Sequence, residues 1–158
     1  MFSSLSSVSS VSSFGSAGTD FVDVIERELG LADTTHFFYS SDHGFQLGNF
    51  NVLMDKRHVY DWNTRIHLLV RGPRIARGLV VSEPATNVDL APTFVALADP
   101  SSCDDRSGRC TGGGVSSVAV ANVFDGRSLL PLLTGTTSAL SEPWRREVFI
   151  EYYFNNAN

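Results

Sequence analysis

Residues 34–71 read TTHFFYSSDHGFQLGNFNVLMDKRHVYDWNTRIHLLVR, and the fold turns on them. Two short apolar runs, His36 to Tyr39 and His67 to Val70, bracket a long polar connection. An apolar run of that length, bounded by polar turns, reads as a strand covered on both faces. The first run ends in Ser40, Ser41, Asp42, His43 and Gly44. Ligands of open α/β sheets gather at the carboxyl ends of strands, so the Asp-His-Gly turn sits where chemistry is expected. His36 lies at the other end and is read as the start of the strand, not as a ligand.

Asp42 and His43 are neighbours, and an extended chain points neighbours apart. A tight turn lets both reach one centre, and Gly44 supplies the backbone freedom for it. A carboxylate oxygen suits a hard cation, and an imidazole coordinates it or hydrogen-bonds a substrate group. The plain account of the same three residues is an Asx-type turn. Residues 45–63 then form a connection long enough to favour a functional role. Within it, Lys56 is a compact positive charge suited to an anionic oxyester. His58 can move protons near neutral pH if it faces the same cleft. Arg57 has Asp55 and Asp61 as candidate partners. Any one of these charges is ordinarily solvated. As a cluster behind Asp-His-Gly they read as one edge of a metal-dependent hydrolase site. Arg65 is read as a loop tie, and Arg74 and Arg77 as surface charges.

Outward from this stretch, Asp20 to Leu29 places Phe21, Val24 and Ile25 on one face of a surface helix. Thr19 or Asp20 is its expected cap and Gly30 its end. Residues 78–81 predict a short strand, and Thr86 to Ala98 a helix capped by Asn87 or Asp89, with Pro92 confined to its first turn. Leu90, Phe94 and Leu97 share a face of it. Asp99 to Ala121 is a Gly/Ser-rich insertion carrying Cys103 and Cys110. Its Thr-Gly-Gly-Gly run lacks the strand, helix and lysine of a phosphate-cradling loop and reads as flexible chain. The cysteines admit a small disulfide-closed loop, requiring an oxidising compartment, or two unrelated thiols. Leu129 to Leu133 reads as a short helical segment, and residues 147–154, EVFIEYYF, as a last strand-like run.

The whole chain has 158 residues, a hydrophobic content of 42% and a formal net charge of −5, ordinary values for one globular domain. Its basic residues do not cluster as a nucleic-acid groove requires, and no apolar run approaches the ~20 residues of a membrane span. Residues 1–18 are serine-rich without a basic leader, reading as a disordered tail and not as a secretory signal.

Phe38 to Gly72 resembles the sulfatases, especially N-acetylglucosamine-6-sulfatase and related heparan-sulfate enzymes. The resemblance is carried by Ser41-Asp42-His43-Gly44-Phe45-Gln46-Leu47-Gly48, Met54-Asp55-Lys56-Arg57, Tyr60-Asp61, Arg65 and Leu68 to Pro73. It continues in the Asn-x-Asp-Leu-x-Pro-Thr segment at Asn87 to Thr93, the Asp-Gly-x-Ser-Leu-Leu-Pro turn at Asp125 to Pro131, and Trp144, Arg145, Glu151 and Tyr152. The implied fold class is α/β: a partial alkaline-phosphatase-like sulfatase sheet-and-helix sandwich lacking its amino-terminal half. Its expected extent is residues 19–154, with the Gly/Ser/Cys insertion at about 99–121 and a truncated end at 155–158.

By the same resemblance, Asp42 and His43 sit at a calcium ion. Lys56 binds a sulfate oxygen and helps stabilise the departing group; His58, read from its place in the same loop, is the other substrate-binding candidate. The implied activity is hydrolysis of sulfate esters in sulfated sugars or glycosaminoglycans, in a lysosomal or secreted setting. A phosphoesterase of the same superfamily and a non-catalytic anion- or glycan-binding remnant are the alternatives. The family's nucleophile, a formylglycine made in a Cys/Ser-x-Pro-x-Arg motif, has no convincing precursor here. Neither cysteine has that context, Ser82-Glu83-Pro84 lacks the arginine, and Ser141-Glu142-Pro143-Trp144-Arg145 fits the letters but lies on the wrong side of Asp42. The expectation is one wall of a site, inactive alone, whose missing partner is the amino-terminal half of the domain.

Overall fold

A computed structural model describes residues 2–7, 21–104, 107–110 and 124–153. Its centre is a four-stranded sheet in the order β2-β3-β1-β4. The strands are β1 (Phe2–Ser7), β2 (Phe37–Tyr39), β3 (Ile66–Arg71) and β4 (Val80–Val81). β1 runs parallel to β3, whereas β2 is antiparallel to β3, and β4 antiparallel to β1. The predicted strands at 36–39, 67–70 and 78–81 are all present, the first shorter by one residue, the second longer by one at each end and the third shorter by two.

Two expectations about this sheet need correction. Phe2–Ser7, assigned from its serines to a disordered tail, is a strand inside the sheet. Sheet pairing is made by backbone groups, and the slot between β3 and β4 satisfies them whatever the side chains. The remainder of that stretch, residues 8–20, lies outside the described residues. Nor are β2 and β3 covered on both faces. β3 alternates, with Ile66, Leu68 and Val70 buried between the exposed His67 and half-buried Leu69. β2 is an edge strand whose Tyr39 is 55% exposed.

The buried face of β3 packs on Val81, Ala85, Leu129, Leu132, Leu133 and Trp144. Burying a leucine such as Leu68 or Leu129, both fully enclosed, contributes about 1.5–3 kcal/mol. The helices are short: α1 (Asp61–Thr64), α2 (Leu90–Ala98) and α3 (Leu130–Leu133). The expected helix near residue 20 is π-wound over Val24–Glu28, and Gly30 follows it with φ 66°. Its apolar face is not buried: Phe21 is 63% and Leu29 60% exposed, and the contact with β3 is instead an ion pair from Arg71 to Glu26. Residues 19 and 20, its expected caps, lie outside the described residues.

α2 is introduced by a tight turn, Asn87–Asp89, capped by Thr86. Thr86 donates its backbone N–H to Asp89 Oδ2 at 2.8 Å and its hydroxyl to the same oxygen at 3.2 Å. Pro92 falls in the first turn of α2, as required. The inward face is Pro92, Thr93 and Ala96, not Phe94, which is 47% exposed and meets Phe38 edge-on at 5.0 Å. Thr93 turns inward because its hydroxyl bridges elements, donating to Asp89 O at 2.6 Å and accepting from Leu129 N at 2.8 Å.

The insertion is built in part. Cys103 and Cys110 form a disulfide across the hairpin of β5 (Cys103–Asp104) and β6 (Arg109–Cys110), and residues 111–123 lie outside the described residues. Residues 147–153 form no strand, correcting the expected strand-like run: no described strand pairs with them.

Candidate functional site

Every predicted site residue comes from the loop that follows β2. Ser40 donates to His67 O at 2.8 Å, holding the loop's first residue to β3. Ser41 Oγ donates to His43 O at 2.7 Å and closes the turn. Gly44 then passes against α1, where its N–H donates to Asn63 O at 2.8 Å. A Cβ there would lie 1.9 Å from Trp62 O, so only glycine lets the turn sit this close. From the other side, Asn87 Nδ2 donates to Asp42 O at 3.0 Å and ties the turn to the start of α2.

The lysine returns to this turn by a second set of bonds. Gln46 N–H donates to Asp55 O at 2.9 Å, Lys56 N–H to Asp55 Oδ1 at 2.7 Å, and Arg57 Nε pairs with Asp55 Oδ2 at 3.1 Å. Asp55, not Asp61, is therefore the partner of Arg57; Arg65 takes Asp61 at 3.7 Å. The loop carries a cost: Gln46 is fully buried and its amide makes no hydrogen bond among the described residues. Such a group costs about 1–3 kcal/mol.

At the centre, His43 Nε2 lies 3.0 Å from Lys56 Nζ and 3.0 Å from Asp42 Oδ2. Its Nδ1 lies 2.7 Å from Gly44 O. A carbonyl oxygen only accepts, so Nδ1 carries a proton. In the neutral ring Nε2 then presents a lone pair to the Lys56 ammonium, and Asp42 gains no donor from it. In the charged ring Nε2–H satisfies Asp42 and repels Lys56. Two opposite charges thus compete for one nitrogen, an arrangement that an incoming ion would resolve. Asp42 itself is held below the usual carboxylate range: partial desolvation opposes the shift, and the His43 charge, the His43 N–H and the Ser41 hydroxyl outweigh it.

Asp42, His43, Lys56 and His58 line one cavity of about 550 Å³. His58 contributes its wall only, with its ring 5.8 Å from that of Tyr60 and its carbonyl accepting from Asn63 Nδ2 at 2.8 Å. His36, read as the start of a strand, does lie away from the cavity, with Nε2 3.2 Å from Pro73 O.

Sequence assigns no role to the rest of the lining. It includes Thr86, Asn87, Arg145 and residues 148–152. Arg145 is set by a buried hub: Asp89 is fully enclosed, pairs with Arg145 and accepts Arg127 N–H at 2.9 Å. Arg127 and Arg145 stack on Trp144 at 4.9 and 5.1 Å. The signal for this part was the Trp-Arg and Glu-Tyr pattern, which named the residues without showing that they fold back onto the Asp-His-Gly turn. Ser141 does not line the cavity, and the carbonyls of Glu142 and Pro143 are spent on Arg127 at 3.3 and 3.0 Å.

A calcium ion prefers six to eight oxygen ligands. Asp42 supplies a carboxylate and His43 an imidazole, and among the described residues no group of three or more His, Cys, Asp or Glu is placed to hold a metal. The described side chains therefore do not fit a complete calcium site.

A mixed sheet with a carboxylate and imidazole in the turn after β2, and a lysine folded back onto them, defines an α/β scaffold with a polar site at one strand end. The sulfatase family profile matches residues 20–100, and the chain belongs to the sulfatase family. It is 37% identical over 125 residues to the extracellular sulfatase SULF-1 homolog of Drosophila melanogaster, covering 79% of this chain and 10% of that protein. It is 31% identical over 142 residues to the N-acetylglucosamine-6-sulfatase of Homo sapiens, covering 88% of this chain and 22% of that one. A solved structure of BT4656 in complex with its substrate D-glucosamine-2-N,6-O-disulfate superposes with a TM-score of 0.56 at 26% identity, over 89% of this chain and 25% of that one. The chain thus spans about a tenth to a quarter of these relatives, and its α/β arrangement is part of a sulfatase fold. Among the described residues no helix is long and apolar enough to cross a membrane.

Proposed function

We propose that this chain forms the anion-gripping wall of a sulfate-ester hydrolase acting on sulfated sugars or glycosaminoglycans. The observation that carries the reading is the convergence of Lys56 and Asp42 on His43 Nε2, each at 3.0 Å, at one cavity. Lys56 binds a sulfuryl oxygen and stabilises charge developing there and on the leaving oxygen. His43 orients the lysine, and His58 faces the body of the substrate. Asp42 offers one carboxylate to a calcium ion, whereas the free nitrogen of His43 is already turned to Lys56, so His43 would serve the metal only by releasing the lysine; a bound ion would supply further charge stabilisation.

The nucleophile is not provided by this wall. Both cysteines are bonded to each other, so neither offers a thiol for conversion to formylglycine. Positioned charge without a nucleophile gives little turnover. The disulfide also supports a secreted or lysosomal setting. It favours a second reading as well, a non-catalytic module that binds sulfated glycans.

The test is sulfate binding and aryl-sulfate hydrolysis by the 158-residue chain, with and without calcium. The expected result is weak sulfate binding lost in Lys56→Ala, with no hydrolysis. Calcium-independent turnover by the chain alone, or sulfate affinity indifferent to Lys56→Ala, overturns the reading.

A further inference from the structure

Part of the cavity lining is chemically unlike Lys56. Residues 148–152 run Val-Phe-Ile-Glu-Tyr, and all five line the cavity that holds Asp42, His43 and Lys56. The large side chains of this run stand open to solvent: Phe149 is 85%, Tyr152 53% and Ile150 38% exposed. Leaving such side chains in water forgoes stabilisation that contact with an apolar surface recovers. Apolar surface gathered beside a charged cavity is a mark of a binding site. The cavity, about 550 Å³, is the size of a site for a whole small molecule and exceeds what a four-oxygen anion fills. Glu151, in the middle of the run, is held by Tyr153 Oη at 2.6 Å from its Oε1. That bond fixes the carboxylate, which still has acceptor capacity for hydroxyl or amino donors.

We propose that residues 148–152 form a sugar-recognition strip, with Phe149 and Tyr152 packing on the C–H face of a pyranose whose sulfate lies at Lys56. This deepens the proposed function and rests on it. A pyranose matches the division of the cavity: one end of the ligand is a full negative charge, and its body alternates apolar C–H faces with hydroxyls around the rim. The cation meets the sulfate, the aromatic rings meet the C–H face, and Glu151 accepts from the rim. A sulfate ion alone uses only the first of these contacts. Aromatic side chains suit the role because they offer a large, rigid contact area at low entropic cost. Phe149 is exposed, so substituting it leaves the core intact.

The experiment is titration of the full 158-residue chain with three probes, inorganic sulfate, glucosamine and glucosamine 6-sulfate, followed by calorimetry or ligand-observed NMR. Native protein is expected to bind glucosamine 6-sulfate more tightly than inorganic sulfate. Phe149→Ser and Tyr152→Ser are each expected to weaken the sulfated sugar roughly tenfold while leaving inorganic sulfate unchanged. Phe149→Trp is expected to retain the preference. If the serine variants keep the native preference, or lose both probes equally, the strip is wrong while the anion wall stands, provided Lys56→Ala still abolishes sulfate binding. If neither sulfated probe binds the native chain, or binding survives Lys56→Ala, the anion wall and the strip fall together.

Discussion

Replacing Asp89 by asparagine changes one atom type and tests the hub that holds Arg145 in the cavity lining. Asp89 is fully buried, and four donors converge on its carboxylate. Thr86 N–H and hydroxyl reach Oδ2, while Arg127 N–H and the Arg145 guanidinium reach Oδ1. An asparagine has one oxygen and one NH₂, so whichever way it is turned a donor faces a donor. Turned toward Thr86, the NH₂ opposes a backbone N–H that cannot rotate away. Turned toward Arg127 and Arg145, it opposes a second backbone N–H and leaves the arginine without its counter-charge. Removing one partner of a buried ion pair costs about 3–5 kcal/mol. The Arg145 side chain is 24% exposed, so water offsets part of the loss and the lower end, about 3 kcal/mol, applies. At roughly 2–4 °C per kcal/mol for a chain of this size, the melting temperature of Asp89→Asn is expected to fall by roughly 6–12 °C. Thermal and urea unfolding followed by circular dichroism reads this directly. Glu142→Gln, which removes only a 3.9 Å surface contact with Arg109, serves as the control and should shift by less than about 0.5 kcal/mol. A melting point for Asp89→Asn within about 2 °C of native would mean that the four convergent bonds do not organise this region.

Three further outcomes follow from the same structure. The Cys103–Cys110 pair closes a loop with a sequence separation of 7, so Cys103→Ser with Cys110→Ser should cost about 2.5 kcal/mol in the chain-entropy picture. Two alkylation adducts on the native, unreduced protein in mass spectrometry would contradict the pairing. A Cβ on Gly126 would lie 2.2 Å from Val88 O and 2.8 Å from Asp89 N, both backbone, so Gly126→Ala should lose roughly 2–3 kcal/mol in urea unfolding, and a neutral result would place that turn differently. Asp99 is held below the ordinary carboxylate range by the hydroxyls of Ser101 and Ser102. Because its folded value is depressed, the stability it contributes is present above the unfolded value of about 3.9 and is lost as pH falls through the folded one. An NMR titration should find native Asp99 below about 3.9, moving up in Ser101→Ala with Ser102→Ala; titration at or above that value in the native chain refutes the contact.

The sequence was most legible where local pattern and tertiary role agree. The apolar run at 67–70 is a strand, the Thr86 to Ala98 segment is helical with Pro92 in its first turn, and Asp42, His43, Lys56 and His58 share a cavity. Side-chain facing was less legible. Phe94 looked like a core residue, but Thr93 displaced it by satisfying two backbone groups at once, which no hydrophobic scale registers. The rest of the lining escaped because Arg145 and residues 148–152 approach Lys56 only through the fold. Arg145 is directed by Asp89, more than fifty positions earlier in sequence, and by stacking beside Arg127 on Trp144. The serine-rich start misled for a related reason. Composition reports what side chains prefer, and β1 is placed by what the backbones of β3 and β4 require.

The location of β1 also has a kinetic side. Phe2 to Ser7 must find partners some sixty positions away at Ile66 to Val70, so closing this sheet is a long-range event. Until it is complete, β3 and β4 each hold an unmated row of amides and carbonyls, a berth that the same segment of a neighbouring molecule fits equally well. Expression at high concentration, or any bulky fusion at the leading end, therefore biases the chain toward strand-exchanged pairs, and slow, dilute refolding favours the single molecule.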